Sequence, residues 1–206
     1  MAEITRHPSE IAWPGRLQRD DDEAMTDALI PDDRDWTWVL DRPCPECGFV
    51  ASEFDPRSAG DALRRNAASW GRVLAGGHAA LIERRTSNRW SDLEYAAHVR
   101  DVNRLYLDRL HSMLNEDDPL YPNWDQDATA VADGYNAQDP AMVRSDLLAA
   151  AAALGDAFDA LDDAQWARPG RRSDGASFTV DSFARYLVHD PVHHFWDVTG
   201  TPATKQ

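Results

Sequence analysis

From Asp55 to the end of the chain, apolar residues recur at intervals of three and four in four separate stretches, the spacing of amphipathic helices. The first stripe, Ala62, Leu63, Ala67, Trp70, Val73 and Leu74, predicts a helix from about Ser58 to Gly77, with Gly76-Gly77 as its stop. The second is Leu93, Ala97, Val102, Leu105, Tyr106, Leu110 and Met113. It opens on Ser91-Asp92-Leu93-Glu94, a capping box in which Ser accepts from the first turn and Glu reaches back, and runs to about Leu114. The third starts at Asp139-Pro140, an Asp cap with proline at the first helical position, and continues through Val143, Leu147, Leu148, Ala151, Leu154, Phe158 and Leu161. The fourth spans about Thr179 to Val198 through Val180, Phe183, Ala184 and Leu187. Four helices of roughly 20 residues, each about 30 Å long, predict an all-α four-helix bundle over residues 57–200. No stretch alternates strongly enough to predict a sheet.

Outside this pattern the chain is irregular. Residues 1–35 carry ten acids against four arginines, are broken by Pro8, Pro14 and Pro31, and read as an acidic N-terminal arm that is solvated or mobile. Trp36 to Leu40 reads as an extended segment packed on the domain. Arg42 to Gly48 reads as a loop, so residues 36–56 form a linker carrying a Cys-x-x-Cys turn. Residues 115–138 form a long connection, and 201–206 a short tail.

Composition narrows the partners. Across 206 residues, 36 acids face 21 bases, a net charge of −15, which argues against a nucleic-acid groove or an anionic membrane surface. No run of 18 apolar residues is present, and the first residues lack the order of a secretory signal, so a cytoplasmic location is expected, with Cys44 and Cys47 reduced. Twenty of the 21 bases are Arg, Asp outnumbers Glu by 28 to 8 and Ala reaches 31, the codon usage of a GC-rich genome.

The candidate chemistry lies in His189-Asp190-Pro191-Val192-His193-His194. His189 and His193 are four apart, which on a helix places both rings on one face at the spacing two ligands of one metal ion need. Pro191 removes a backbone donor, so the helix is expected to bend or restart there. His98, on the polar edge of the second helix, is the third candidate ligand. Three imidazoles suit Zn, Ni, Fe or Cu and leave a position for water or a substrate thiolate. Asp190 and His194 are candidates for supporting the ligands from behind. Spacing alone leaves the alternative that two histidines fall four apart by chance and His98 is a hydrogen-bonded core residue.

Trp90-Ser-Asp-Leu-Glu-Tyr-Ala-Ala-His98-Val-Arg-Asp101, followed some ninety residues later by His189-Asp-Pro-Val-His193-His194, resembles the DinB-like superfamily, which includes mycothiol-dependent maleylpyruvate isomerases and bacillithiol or mycothiol S-transferases. The resemblance covers roughly residues 57–200. It implies an up-down-down-up bundle and a divalent ion, zinc or nickel foremost, on His98, His189 and His193, with a Glu at the His189 position in some relatives. It also implies an activity in which the metal activates a low-molecular-weight thiol for attack on an electrophile. The GC-rich codon usage favours mycothiol among such thiols. The alternative is a non-catalytic metal- or small-molecule-binding protein acting as a sensor or partner.

Two features stand apart from that pattern. Cys44-Pro-Glu-Cys47-Gly48 resembles half of a zinc knuckle. It leaves open a Cys₄ site across a homodimer, a redox dithiol, a site completed by His or Asp, or a plain reduced turn. Arg171 and Arg172 are candidates for holding a carboxylate of the thiol or substrate, against the alternative of a solvated basic turn.

Overall fold

The computed structural model describes residues 34–86 and 89–206; the acidic arm, up to residue 33, lies outside the described residues. The chain forms α1 (Ala59–Val73), α2 (His78–Ile82), α3 (Asp92–Asn115), α4 (Gln126–Ala132), α5 (Pro140–Asp159) and α6 (Val180–Thr199). The four long helices are those the hydrophobic stripes predict. At Ser91, both halves of the capping box form: Glu94 N–H donates to Ser91 Oγ, and Ser91 N–H to Glu94 Oε2 at 2.7 Å. Asp139 caps α5 through Ala141 N–H with Pro140 at the first position.

Paired contacts fix the direction of each helix. Arg64 on α1 reaches Asp156 and Asp159 near the end of α5, while Gly71, later on α1, faces Arg144 near its start, so α1 and α5 are antiparallel. Arg100 meets Gln138 just before α5 and Arg104 meets Asp146 within it, so α3 and α5 are parallel. Asn66 and Trp70 meet Pro191 and Phe195 in order, making α1 and α6 parallel. His98 meets His194 and Tyr106 meets Phe183, making α3 and α6 antiparallel. In chain order the long helices therefore run up, down, down, up, and the long connection between α3 and α5 exists because a parallel pair needs a crossover. Close approach of α1 to α5 relies on Gly60, where a Cβ would sit 2.8 Å from the Gly155 carbonyl oxygen.

Several local expectations are corrected. A three-stranded sheet forms from β1 (Leu120–Tyr121), β2 (Pro169–Arg172) and β3 (Ser177–Thr179), with β1 parallel and β3 antiparallel to β2. Strands of two to four residues are too short to leave an alternating signature. Thr37–Leu40 is a 3₁₀ helix instead of an extended segment, because the Asp35 carboxylate accepts from Thr37 N–H and Oγ1, both at 2.9 Å. α6 does not restart at Pro191 but continues through it as one helix. The first helix ends at Val73, with α2 starting after Gly77. The tail folds back, Gln206 donating to the Val192 carbonyl at 3.0 Å. No helix among the described residues is long and apolar enough to cross a membrane.

Candidate metal centre

α6 carries two interleaved pairs, each four residues apart: His189 with His193, and Asp190 with His194. Consecutive residues on a helix point about 100° apart, so the pairs face different neighbours. The structure sorts the donors accordingly. Among the described residues, His98, Asp190 and His194 offer ligand atoms all within 4.8 Å of one another, and so do Cys44, Cys47, His189 and His193. The expected trio of His98, His189 and His193 is thus divided between two groups. The residues expected behind the ligands, Asp190 and His194, are the ones that meet His98.

His98 lies on α3 two turns above the Ser91 cap and is fully buried, not on a polar edge. Its ring stacks parallel to Trp124 at 5.2 Å, lies 5.0 Å from Trp90 and meets His194 edge-on at 4.8 Å. His98 Nε2 is 3.4 Å from Asp190 Oδ1, within ion-pair range but not aligned as a hydrogen bond, and both His98 nitrogens and that oxygen are buried without a hydrogen-bond partner. Native interiors rarely leave such atoms unsatisfied, and an ion is one of the recognised exceptions. His194 Nδ1 is 3.1 Å from Asp197 Oδ2. An ionised carboxylate only accepts, so Nδ1 carries a proton, and in the neutral ring Nε2, 3.9 Å from Asp190 Oδ1, is the atom left for a metal.

The electrostatics suit cation binding. Burial lowers the pKa of His98 and keeps it neutral. Burial would raise the Asp190 carboxyl, but His98, His194 and His189 around it hold it down at about 2.

Asp190 and His194 line a cleft of about 990 Å³ together with His189, His193, Trp124, Arg109 and Arg172, among others, while His98 lies behind its wall. The two candidate arginines part company here. Arg171 is half-exposed and pairs with Asp118 at 2.9 Å, away from the cleft lining, whereas Arg172 is buried in the wall. Arg172 is already matched: it donates to Asp174 at 2.8 and 2.9 Å and to Tyr186 Oη at 3.1 Å. Arg109, which sequence reasoning missed, lies over Tyr106 and Tyr121 and donates to the Pro122 carbonyl; its buried Nε has no hydrogen-bond partner, and no carboxylate pairs with it among the described residues. Nothing in its local sequence separates it from other helical arginines. The second spacing, Asp190 with His194, was visible beside the first. Trp124 was visible as a residue but without the fold that sets it on His98.

The model of the DinB superfamily matches residues 77–198, from just before α2 almost to the end of α6. Among solved structures, the chain is similar to YfiT from Bacillus subtilis, described as a probable metal-dependent hydrolase with an unusual four-helix bundle topology. The TM-score is 0.64 at 17% identity, covering 71% of this chain and 85% of YfiT. No curated protein matches the chain. With the up-down-down-up bundle in place and more than half of its length matched by the family model, the chain belongs to the DinB superfamily.

Proposed function

We propose that the protein is a metal-dependent enzyme in which His98, Asp190 and His194 hold a divalent ion, zinc or nickel foremost, for transfer or isomerisation chemistry on an electrophile with a low-molecular-weight thiol as nucleophile. The observation that carries this reading is the set of buried donor atoms without hydrogen-bond partners on His98 and Asp190, beside a large cleft that Asp190 and His194 line. Two imidazoles and one carboxylate fit such an ion and leave positions free. When bound, the ion would lower the pKa of a thiol or water beside it, giving a nucleophile at neutral pH.

The chain's own residues supply the rest. Asp197 holds His194 with its lone pair toward the group, and Trp124 and Trp90 clamp the His98 ring. At about 990 Å³, the cleft is at the upper end of the range for small-molecule sites, which gives room for a thiol and an electrophile together. Arg109 offers an uncompensated guanidinium for a carboxylate on either partner. Mycothiol is the favoured thiol on the codon usage and on the superfamily resemblance.

The test is turnover of a panel of electrophiles by metal-loaded protein with mycothiol, with other thiols and with none, beside elemental analysis of wild type and His98→Ala. Thiol-dependent turnover that disappears in His98→Ala together with one bound ion supports the reading. Turnover without any thiol would replace it with hydrolysis. A His98-dependent ion with no turnover across the panel would favour a non-catalytic metal-binding protein.

A further inference from the structure

We propose that Cys44, Cys47, His189 and His193 form a second, closed metal site that binds a zinc-type divalent ion and ties the segment preceding α1 to α6. The four donors come from distant parts of the chain, yet their ligand atoms all lie within 4.8 Å of one another, and the side chains are 2%, 0%, 3% and 4% exposed. The inference concerns residues distinct from the His98 group and stands whether or not the cleft is catalytic.

The turn is built to present both sulfurs. Cys44 N–H donates to the Phe49 carbonyl at 2.8 Å and Gly48 N–H to the Cys44 carbonyl at 3.0 Å. Gly48 takes φ +77°, a backbone that other residues rarely adopt, and this closes the loop so that Cys44 and Cys47 share one side. Opposite them, one turn of α6 brings the His189 and His193 rings to 5.1 Å. Cys44 Sγ lies 3.6 Å from His193 Nδ1. Bonds of about 2.3 Å to sulfur and 2.0 Å to nitrogen at the tetrahedral angle put two ligands of one zinc ion about 3.5 Å apart, so this pair is already close to coordination spacing.

The remaining contacts fit the same assignment. His189 Nε2 is buried without a hydrogen-bond partner. The far nitrogen of His193, Nε2, is 3.3 Å from the Glu46 carboxylate, the support that metal-bound imidazoles take from behind. Trp36 covers both rings, at 5.4 Å from His189 and 5.0 Å from His193. Four protein donors leave no open position, which marks a structural site. A redox dithiol is a poorer reading, because both sulfurs are buried away from any exchange partner. On binding, each thiol gives its proton to solvent, and two metal–sulfur and two metal–nitrogen bonds form with no change of oxidation state. The ion would reinforce a junction where Arg185 already donates to the Ala51 and Phe54 carbonyls and Ala203 N–H to the Cys47 carbonyl.

Cobalt loading tests this directly. Cobalt-loaded wild type is expected to show an intense near-ultraviolet thiolate-to-metal band and a tetrahedral visible spectrum. The band should be lost in Cys44→Ser and kept in His98→Ala. Because a cysteine variant can fail to fold, the wild type is also followed by thiol labelling, with both cysteines unreactive when loaded and reactive after chelation. No thiolate band in the loaded wild type, equal labelling with and without metal, or a band that vanishes in folded His98→Ala would overturn the second site.

Discussion

Two donor groups share one stretch of α6 and differ in nearly every property that decides what a metal would do there. His98, Asp190 and His194 offer two imidazoles and a carboxylate, whereas Cys44, Cys47, His189 and His193 offer two thiols and two imidazoles; Asp190, His194, His189 and His193 line one cleft, with Trp36 against the last two and the thiols behind them. A helix separates them by a single residue step: 190 and 194 face α3, while 189 and 193 face the segment before α1. Three protein ligands leave positions for chemistry, and four leave none. A saturated group beside one with open positions would hold the same helix turn in place.

Damage exchanged between the groups is the strongest way to break that contrast. His98→Ala is expected to lower turnover by at least about 100-fold while leaving the cobalt–thiolate band intact. Cys44→Ser is expected to do the reverse: the band disappears and the thermal midpoint falls by roughly 10 °C or more, while turnover stays within about tenfold of wild type. If both variants lose activity equally while folded, as judged by circular dichroism, the two groups act as one centre and the division fails.

Proton release separates the groups next. Burial lowers the pKa of His98 and the Asp190 carboxyl is held down at about 2, so filling the cleft group displaces at most one proton, from His194, near neutrality. Filling the cysteine group displaces one from each thiol. Its apparent affinity therefore rises with pH by up to about 100-fold per unit, while that of the cleft group rises by at most about tenfold. Competition with a chelator between pH 6 and 8 measures both slopes, and a flat slope for the thiolate-bound ion would contradict thiol coordination.

Much of the scaffold was legible in the sequence because its signals are local. Ser91 with Glu94 and Asp139 with Pro140 place two helix starts without any tertiary information, and the stripes through Leu93 to Met113 and Val143 to Phe158 are the buried faces of α3 and α5. The ligand register was not legible. A spacing of four is met equally by His189 with His193 and by Asp190 with His194; only the rotation of α6 against α3, set by packing such as Tyr106 on Phe183, decides which pair meets His98. The approach of Cys44 to His193 spans 149 residues of chain and had no local trace, and the short β1–β3 sheet fell below the length at which alternation can be seen.

A buried ion pair outside both groups provides a reference for fold stability. Asp101 accepts from Arg100 at 2.7 and 2.8 Å and from Tyr135 Oη at 2.7 Å. Burial would raise its pKa, but these donors outweigh it and hold the carboxyl below its ordinary value. The stability it contributes is thus present above about pH 4 and lost as pH falls through the depressed folded value. Asp101→Asn is expected to cost about 2 kcal/mol at pH 7 in chemical denaturation, with the gap to wild type closing in acid and the metal content unchanged. Loss of either ion in this variant would mean that the donor groups depend on general packing.

Arg109 gives the smallest expected effect and sharpens the cleft's side of the comparison. Its guanidinium lies over Tyr106 and Tyr121 with its centre about 5 Å from each ring, so the side chain is held in place before any substrate arrives. Losing the fork then costs binding and not the chemical step: Arg109→Gln is expected to raise KM about tenfold for a carboxylate-bearing thiol or electrophile, with kcat nearly unchanged. Arg109→Lys should recover part of that loss, since it restores the charge without the two-pronged geometry. A substrate stripped of its carboxylate should show no difference between the variants. If kcat falls instead and KM stays put, Arg109 serves the His98 group and not the substrate, and the proposed division between anion binding at Arg109 and metal binding at Asp190 and His194 is drawn in the wrong place.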